Sequence, residues 1–259
     1  MSDSWPTVAL LGLVLLAGCG GFAGFDDTMA TESRTPAPVP EDSTVAPGVP
    51  ATDGKTTVID ADRLLAADTE HRSAAGYRLN RTVTIRGTNW TTRVDRNRRV
   101  AANGTLFERV EINSSGPLSP TIGQSELWTN GSTVYVRTFD GDGTRIEQGP
   151  LPSAPGHFRQ WTMLREQVLE DGTYEVEPTA DGAVLRSREL PTLPAALVPL
   201  SVREPRNVTA RVAVTEAGLI RSLQVQYDTT VRGEPVRVTI RHRLGAVGNT
   251  SVDRPAWVS

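Results

Sequence analysis

The chain has 259 residues, 27 of them basic and 30 acidic, and its formal net charge is −3. The mixed signs along the chain and the 38% hydrophobic content exclude a basic nucleic-acid-binding surface and a protein with several membrane spans. Cys19 is the only cysteine and the three histidines lie far apart in sequence, so we expect no internal disulfide, no metal site and no cofactor.

A short apolar leader over residues 8–17 ends in Leu16-Ala17-Gly18-Cys19. About ten apolar residues are too few to span a membrane, but they suit the core of a signal peptide. The last four residues resemble the lipobox of bacterial and archaeal lipoproteins, in which the cysteine thiol takes a diacylglycerol group and the preceding peptide is removed. We expect a signal peptide over residues 1–18 and a lipidated Cys19 that anchors the protein outside the cell membrane, although residues 1–7 lack a basic residue.

The segment after the cysteine has the composition of a linker. Prolines recur among Thr, Ser, Ala, Asp and Glu, and such a segment contains too little apolar surface to fold. We predict a disordered tether over residues 19–55 and a folded domain over residues 56–259.

The domain is expected to begin with a helix over residues 60–75, with Asp60 as the N-cap and Gly76 as the stop signal. Residues 77–86 then alternate between apolar and polar side chains, with Arg81 as the one exception. This alternation predicts a strand with one buried face.

The middle of the chain combines a hairpin, a helix and a second pair of strands. Asn130-Gly131 between two apolar-alternating runs predicts a tight hairpin over residues 127–136. A helical pattern follows over residues 155–169. Asp181-Gly182 then predicts a turn between short strands at 174–176 and 184–186.

The C-terminal region gives the clearest pattern. Residues 208–214, 219–227 and 236–240 alternate between apolar and polar side chains, and turn residues separate the three runs. This pattern predicts an antiparallel meander with one apolar face. Together with the earlier elements it indicates an α+β domain built on a large antiparallel sheet.

The order of these features resembles the LolA and LppX group of lipoprotein carriers and lipid-binding lipoproteins, and archaeal lipoproteins of the same architecture. The resemblance covers most of residues 56–259. It implies a curved sheet, an open half-barrel, with two or three covering helices and a lipid or other hydrophobic ligand on the concave face. The alternative is a structural or interaction lipoprotein of the cell envelope with no ligand cavity. The expected ligand-contacting residues are Trp128, Tyr135, Phe158, Trp161, Val225 and Tyr227.

Seven of the eight asparagines lie in Asn-X-Ser/Thr sequons, where chance predicts about one or two. A sequon accepts a glycan only when it is exported and exposed, so the excess indicates a cell-surface glycoprotein and favours an archaeal source. At Asn103 and Asn130 the following glycine also suits a tight turn. The candidate sites are Asn80, Asn89, Asn103, Asn113, Asn130, Asn207 and Asn249.

Three further features are interpreted as structural. Asp140-Gly141-Asp142-Gly143 lacks the later glycine and glutamate of an EF-hand and is predicted to be a turn. His242 falls on the apolar side of the last strand and is expected to be buried and hydrogen-bonded. Arg237, Arg241 and Arg243 fall on its polar side. Because no catalytic motif is present, we expect a binding or structural protein rather than an enzyme.

Overall fold

The computed structural model describes residues 43–52, 55–118, 122–140, 143–150, 157–170, 172–190 and 202–258. The predicted signal peptide, Cys19 and most of the predicted tether lie outside the described residues.

Within the described ranges the chain forms two helices, α1 (Ala61–Ser73) and α2 (His157–Glu170). The remaining elements are strands. In chain order they are β1 (Thr44–Ala46), β2 (Val49–Pro50), β3 (Thr56–Val58), β4 (Tyr77–Arg86), β5 (Thr91–Val100), β6 (Leu106–Ser114), β7 (Ile122–Thr129), β8 (Thr133–Asp140), β9 (Gly143–Pro150), β10 (Thr173–Thr179), β11 (Gly182–Ser187), β12 (Val202–Thr215), β13 (Ile220–Val231) and β14 (Glu234–Gly245).

Twelve strands form one sheet in the order β3-β10-β11-β12-β13-β14-β4-β5-β6-β7-β8-β9. Every neighbouring pair is antiparallel. The edge strands β3 and β9 do not pair with each other in the described part of the chain, so the sheet is an open half-barrel. The predicted α+β class and the large open antiparallel sheet are confirmed, with two helices among the described residues.

Strand alternation places the apolar side chains on one face of the sheet, which we call the inner face. Val225, Ile240 and Val83 are paired across three adjacent strands, and each is buried. Residues paired across a sheet share a face, so this register makes a continuous apolar surface. Leu64 of α1 and Leu164 of α2 belong to the same hydrophobic cluster, which places both helices on the inner face.

Helix α1 begins as predicted and ends earlier. The Asp60 carboxylate accepts a hydrogen bond from the Arg63 backbone N–H at 3.0 Å, which is N-cap geometry. The helix ends at Ser73, so Gly76 is not its stop signal. A Cβ at Gly76 would lie 2.6 Å from the Thr250 carbonyl oxygen, so the glycine permits a close backbone approach instead.

The predicted tether is wrong at its C-terminal end. Strands β1 and β2 form a small antiparallel ribbon inside the interval assigned to disorder. Ala46 and Val49 of this ribbon are buried in the main cluster, and the Asp60 N–H donates to the Gly48 carbonyl at 2.8 Å. The folded unit therefore begins before residue 56, because this short segment has apolar residues that pack against the sheet.

The predicted turns and the second helix are close to those observed. Gly131, with φ +95°, lies in the turn between β7 and β8, and β10 and β11 meet at Thr179 and Gly182. Asp140 of β8 pairs with Gly143 of β9, and residues 141–142 of the predicted turn lie outside the described residues. The predicted helix over residues 155–169 corresponds to α2. No helix in the described ranges has the length and apolar character needed to cross a membrane.

Candidate functional site

The inner face of the sheet has two halves that differ in their packing. The closed half comprises β10–β14 and β4, and it packs against α1, α2 and the β1–β2 ribbon in one large cluster. Val225 and Tyr227 lie in this half at 0% and 1% exposure. These two predicted ligand contacts are therefore core residues that neighbouring side chains already enclose.

The open half comprises β5–β9, where the inner face is less completely covered. Leu106, Leu127 and Val134 form a small second cluster there, separate from the main one. The aliphatic inner-face residues of this half that stay only half-buried are Val94, Val100, Val110, Ile112 and Val136. The apolar surface thus continues beyond the region on which the helices pack.

Trp128 and Tyr135 do not share the inner face with Val225 and Tyr227. Their neighbour Leu127 pairs with Glu108 and Val136 on the inner-face register, and an adjacent residue points to the opposite side of a strand. The two rings lie together on the outer face, with centroids 5.7 Å apart. Trp128 and Tyr135 therefore lie on the opposite face from Val225 and Tyr227, because a shift of one residue reverses the face.

Phe158 and Trp161 complete the predicted set. Both belong to α2, but their side chains lie outside the described part of the structure. In the described turns of α2, Leu164 and Val168 are fully buried against the sheet.

A row of charged and polar side chains crosses the inner face where the two halves meet. His242, Arg81 and Arg96 are directly paired on β14, β4 and β5. One rung away, Arg98 pairs with Glu108 and donates to its carboxylate at 2.7 Å. We call these five residues the arginine row.

Burial and mutual repulsion change the protonation equilibria in the arginine row. Burial, followed by the positive charge of Arg96, lowers the pKa of Arg81 to about 10. Burial lowers the pKa of His242 well below its usual range, and Arg81 and other nearby guanidinium groups lower it further. The His242 imidazole is therefore neutral at pH 7, while Arg81 stays protonated.

A buried carboxylate connects both helices to the sheet. Asp68 of α1 is 0% exposed and accepts two hydrogen bonds from Arg72 at 3.0 Å, together with an ion pair from Arg165 of α2. It also accepts the Ile220 backbone N–H of β13 at 2.9 Å. Burial lowers the pKa of Arg72 to about 10 and lowers that of Arg165. We call Asp68, Arg72 and Arg165 the Asp68 triad.

A cleft of about 330 Å³ lies at the rim of the sheet, between the end of α1 and the turn that joins β5 to β6. Tyr77 and Val100 line it from the sheet, and Arg72 and Arg165 line it from the helices. Tyr77 packs against the main cluster and Val100 against the small one, so this rim cleft lies where the two halves meet. Its volume is in the range of small-ligand pockets.

A second cleft, of about 490 Å³, borders the β1–β2 ribbon and is lined in part by Arg63, Thr179 and Glu216. These three side chains are exposed, which gives this cleft the character of a surface depression. No group of His, Cys, Asp and Glu with the proximity needed to hold a metal ion occurs within the ranges that the structure describes.

The burial of His242 and the exposure of the arginines on the last strand agree with the prediction. His242 is buried at 1% exposure, and exposed His71 bonds the Ala217 carbonyl at 2.9 Å. Arg237 and Arg241 are exposed and bond Asp228 and Gln224 on β13. They form a solvated polar face, as their alternation indicated.

All seven sequon asparagines are exposed. Asn80 and Asn113 lie on the outer face of the sheet, as their pairing with Asn97 and Arg93 shows. The others are in turns, in a bulge of β12 or near the C-terminus. Their exposure meets one requirement for glycan attachment.

The arginine row and the Asp68 triad were missed in the sequence. Asp68 and Arg72 are four residues apart on one helix, and ion pairs on exposed helix surfaces have the same i,i+4 spacing. The inward-facing positions of β5 and β6 include Arg96, Arg98 and Glu108. Because these residues are charged, the two strands lack the apolar–polar alternation from which a strand is predicted. Only the pairing register shows that they face inward.

The comparisons with known proteins give one family and a set of distant structural similarities. The model of a family of unknown function, DUF7537, matches residues 5–259. No curated protein sequence matches the chain. Among solved structures, a DUF1329 family protein from Desulfovibrio piger is similar over 73% of this chain and 91% of its own, at 8% identity and a TM-score of 0.27. MucB in complex with MucA is similar over 77% of this chain and 64% of its own, at 15% identity and a TM-score of 0.27.

Proposed function

We propose that this chain, which belongs to the DUF7537 family of unknown function, is a membrane-anchored extracytoplasmic lipoprotein that binds an amphiphilic lipid at the rim cleft and along the open half of the sheet. The proposed role is binding rather than catalysis.

The observation that carries the proposal is the position of the rim cleft between two kinds of surface. Val100 leads from the cleft to the half-buried aliphatic side chains of the open half. Arg72 and Arg165, whose guanidinium groups bind Asp68, line the same cleft. Aliphatic surface beside guanidinium groups suits a ligand with an acyl chain and an acidic head group, because the chain leaves water while the head keeps charged donors.

The packing of the closed half argues against a ligand site there and in favour of one in the open half. Tyr227 and Val225 are enclosed by the core, and burial raises the pKa of the Tyr227 phenol. A ligand there would have to displace packed side chains, each of which contributes about 1.5–3 kcal/mol by its burial. A ligand that binds along the open half would not have to displace the side chains that pack against the helices.

The ligand proposal is tested on the full chain purified from membranes. Extracted lipids are identified by mass spectrometry, and the affinity for a fluorescent amphiphile, dansylaminoundecanoic acid, is measured by titration. Val100→Trp places a large ring in the rim cleft, so we expect at least about a ten-fold loss of affinity, or ~1.4 kcal/mol. Val58→Trp makes the same change on the edge strand β3, where the side chain is 70% exposed, and should retain binding.

Two results would overturn this function. The first is that the purified protein yields no stoichiometric lipid and does not bind the probe. This result would support the alternative of an envelope lipoprotein without a cavity. The other is equal binding by the two tryptophan variants when both show unchanged thermal unfolding, which would place the ligand elsewhere.

Membrane anchoring is tested separately at Cys19. Serine lacks the thiol that receives the lipid, so we expect Cys19→Ser to prevent lipidation and processing at this position. The readouts are the mass of the mature N-terminus and the partition of the protein into detergent. A mature N-terminus that differs from the wild type only by the exchange of sulfur for oxygen, together with unchanged partition, would refute the anchor and leave the ligand test unaffected.

A further inference from the structure

The turn between β7 and β8 holds a sequon in one defined conformation. The Asn130 Oδ1 atom accepts hydrogen bonds from the Ser132 and Thr133 backbone N–H groups, each at 3.1 Å. It also accepts the Ser132 hydroxyl at 3.0 Å. These three donors fix the side-chain amide by its oxygen, which leaves the amide nitrogen Nδ2 available for another contact.

The space around this turn is open. Asn130 is exposed, and a Cβ built on Gly131 would meet no atom within 4 Å. Asn103 in the β5–β6 turn has a similar but weaker arrangement, because its Oδ1 accepts one backbone N–H, from Thr105 at 3.0 Å.

Asn207 has the opposite arrangement although it is also an exposed sequon. Its Nδ2 donates to the Asp228 carboxylate on β13 at 3.1 Å. Its backbone has φ +54°, in a stretch where the register between β12 and β13 shifts. The nitrogen that would receive a sugar is therefore occupied by a carboxylate, and Arg237 holds the same carboxylate at 2.9 Å.

From this contrast we infer that the chain carries an N-linked glycan at Asn130, with Asn103 as a second site, and that Asn207 stays unmodified. Asn130 does not line the rim cleft, whereas Asn103 lies between Ala102 and Gly104, which do. The inference at Asn130 therefore does not depend on lipid binding at the cleft.

The attachment is a transfer from a lipid-phosphate-linked sugar that a membrane glycosyltransferase supplies. A bond forms between Nδ2 and the anomeric carbon of the sugar, while the bond between that carbon and the phosphate oxygen breaks. The phosphate leaves on its lipid with the electron pair, and Nδ2 loses one proton to a base of the transferase. A carboxylate acceptor on Nδ2, as at Asn207, competes with that approach.

The test is glycopeptide mass spectrometry of the protein purified from its native cells. We expect a sugar mass on the peptide that contains Asn130 and the unmodified mass on the peptide that contains Asn207. Asn97 is exposed but lies outside any sequon, so its peptide is an internal control.

Two matched variants separate the sequon from the turn. Asn130→Asp keeps oxygen acceptors for the three donors but lacks Nδ2, so the glycan should be lost from a folded chain. Ser132→Thr keeps the hydroxyl and should keep the glycan, whereas Ser132→Ala should lose it. An unmodified Asn130 in the native protein, or equal occupancy at Asn130 and Asn207, would overturn the inference.

Discussion

The closed and open halves of the sheet have the same strand geometry but different inward-facing residues. In the closed half, β13 directs Leu223, Val225 and Tyr227 into the core. In the open half, β5 directs Arg96 and Arg98 to the same face. The difference shows that the alternation of side chains along a strand does not by itself produce a core. The inward-facing side chains decide whether helices can pack on the sheet, because a buried charge is costly unless it is paired.

The largest effect is expected at the Asp68 triad, in the closed half. Asp68→Ala removes the carboxylate that holds Arg72, Arg165 and the Ile220 N–H, which leaves two buried guanidinium groups without it. We expect a loss of about 3–5 kcal/mol in the free energy of unfolding, measured by urea denaturation. Asp62→Ala, on the exposed side of the same helix, should cost under about 1 kcal/mol. Equal losses would show that the triad does not connect the helices to the sheet.

A matched pair of deletions compares the two halves directly. Val225→Ala removes two methyl groups from a fully buried site and should cost about 2 kcal/mol, while Val136→Ala does so at a half-buried site and should cost less than half of that. Thermal and urea unfolding of both variants provide the measurement. A larger loss at Val136 would mean that the open half is packed like the closed one.

His242 makes stability depend on pH at the junction of the halves. Its pKa in the folded protein is well below the unfolded value of about 6.5, so below that pH the unfolded chain binds a proton that the folded chain does not. Its contribution is full above about pH 6.5 and decreases as the pH falls below that value, because only the unfolded chain then takes up the proton. His242→Leu should remove this slope, and Val225→Ala, a core variant that keeps the histidine, should retain it. A slope that persists in His242→Leu would assign the pH dependence to another group.

The smallest effect is expected on the edge strand of the open half. Arg145 and Glu147 of β9 form an ion pair at 2.7 Å, with side chains 74% and 59% exposed. Solvent screens such a pair, so Arg145→Ala should change the free energy of unfolding by less than about 0.5 kcal/mol. A loss above 1 kcal/mol in urea denaturation would indicate that β9 is covered in the native protein.

The sequence predicted well where one face of an element is apolar. The meander of β12–β14, the strand β4 and the N-cap at Asp60 were recognised because local alternation and capping chemistry decide them. Strands β5, β6 and β9 received no individual boundaries, because inward charges or exposure on both faces remove the alternation. The ribbon β1–β2 was assigned to the tether, because its few apolar residues are buried only by packing against the sheet, and this contact cannot be read from the local sequence.

The sequence predicted the apolar face of the candidate site. It also predicted a set of ligand-contacting residues, which the structure places in different regions. Val225 and Tyr227 lie in the core, while Trp128 and Tyr135 lie on the outer face. The rim cleft was not predictable, because it joins the end of α1, a residue of α2 and a turn between two strands that are distant in the chain.

The sequence by itself determined the antiparallel sheet, its apolar face and the turns at Asn130-Gly131 and Asp181-Gly182, because these follow from side-chain period and from the backbone preferences of Asn, Asp and Gly. Only the tertiary structure decided which half of that face became a core and which kept charged side chains at its junction. That choice depends on strand order and on where two helices pack, and both are set by contacts between residues far apart along the chain.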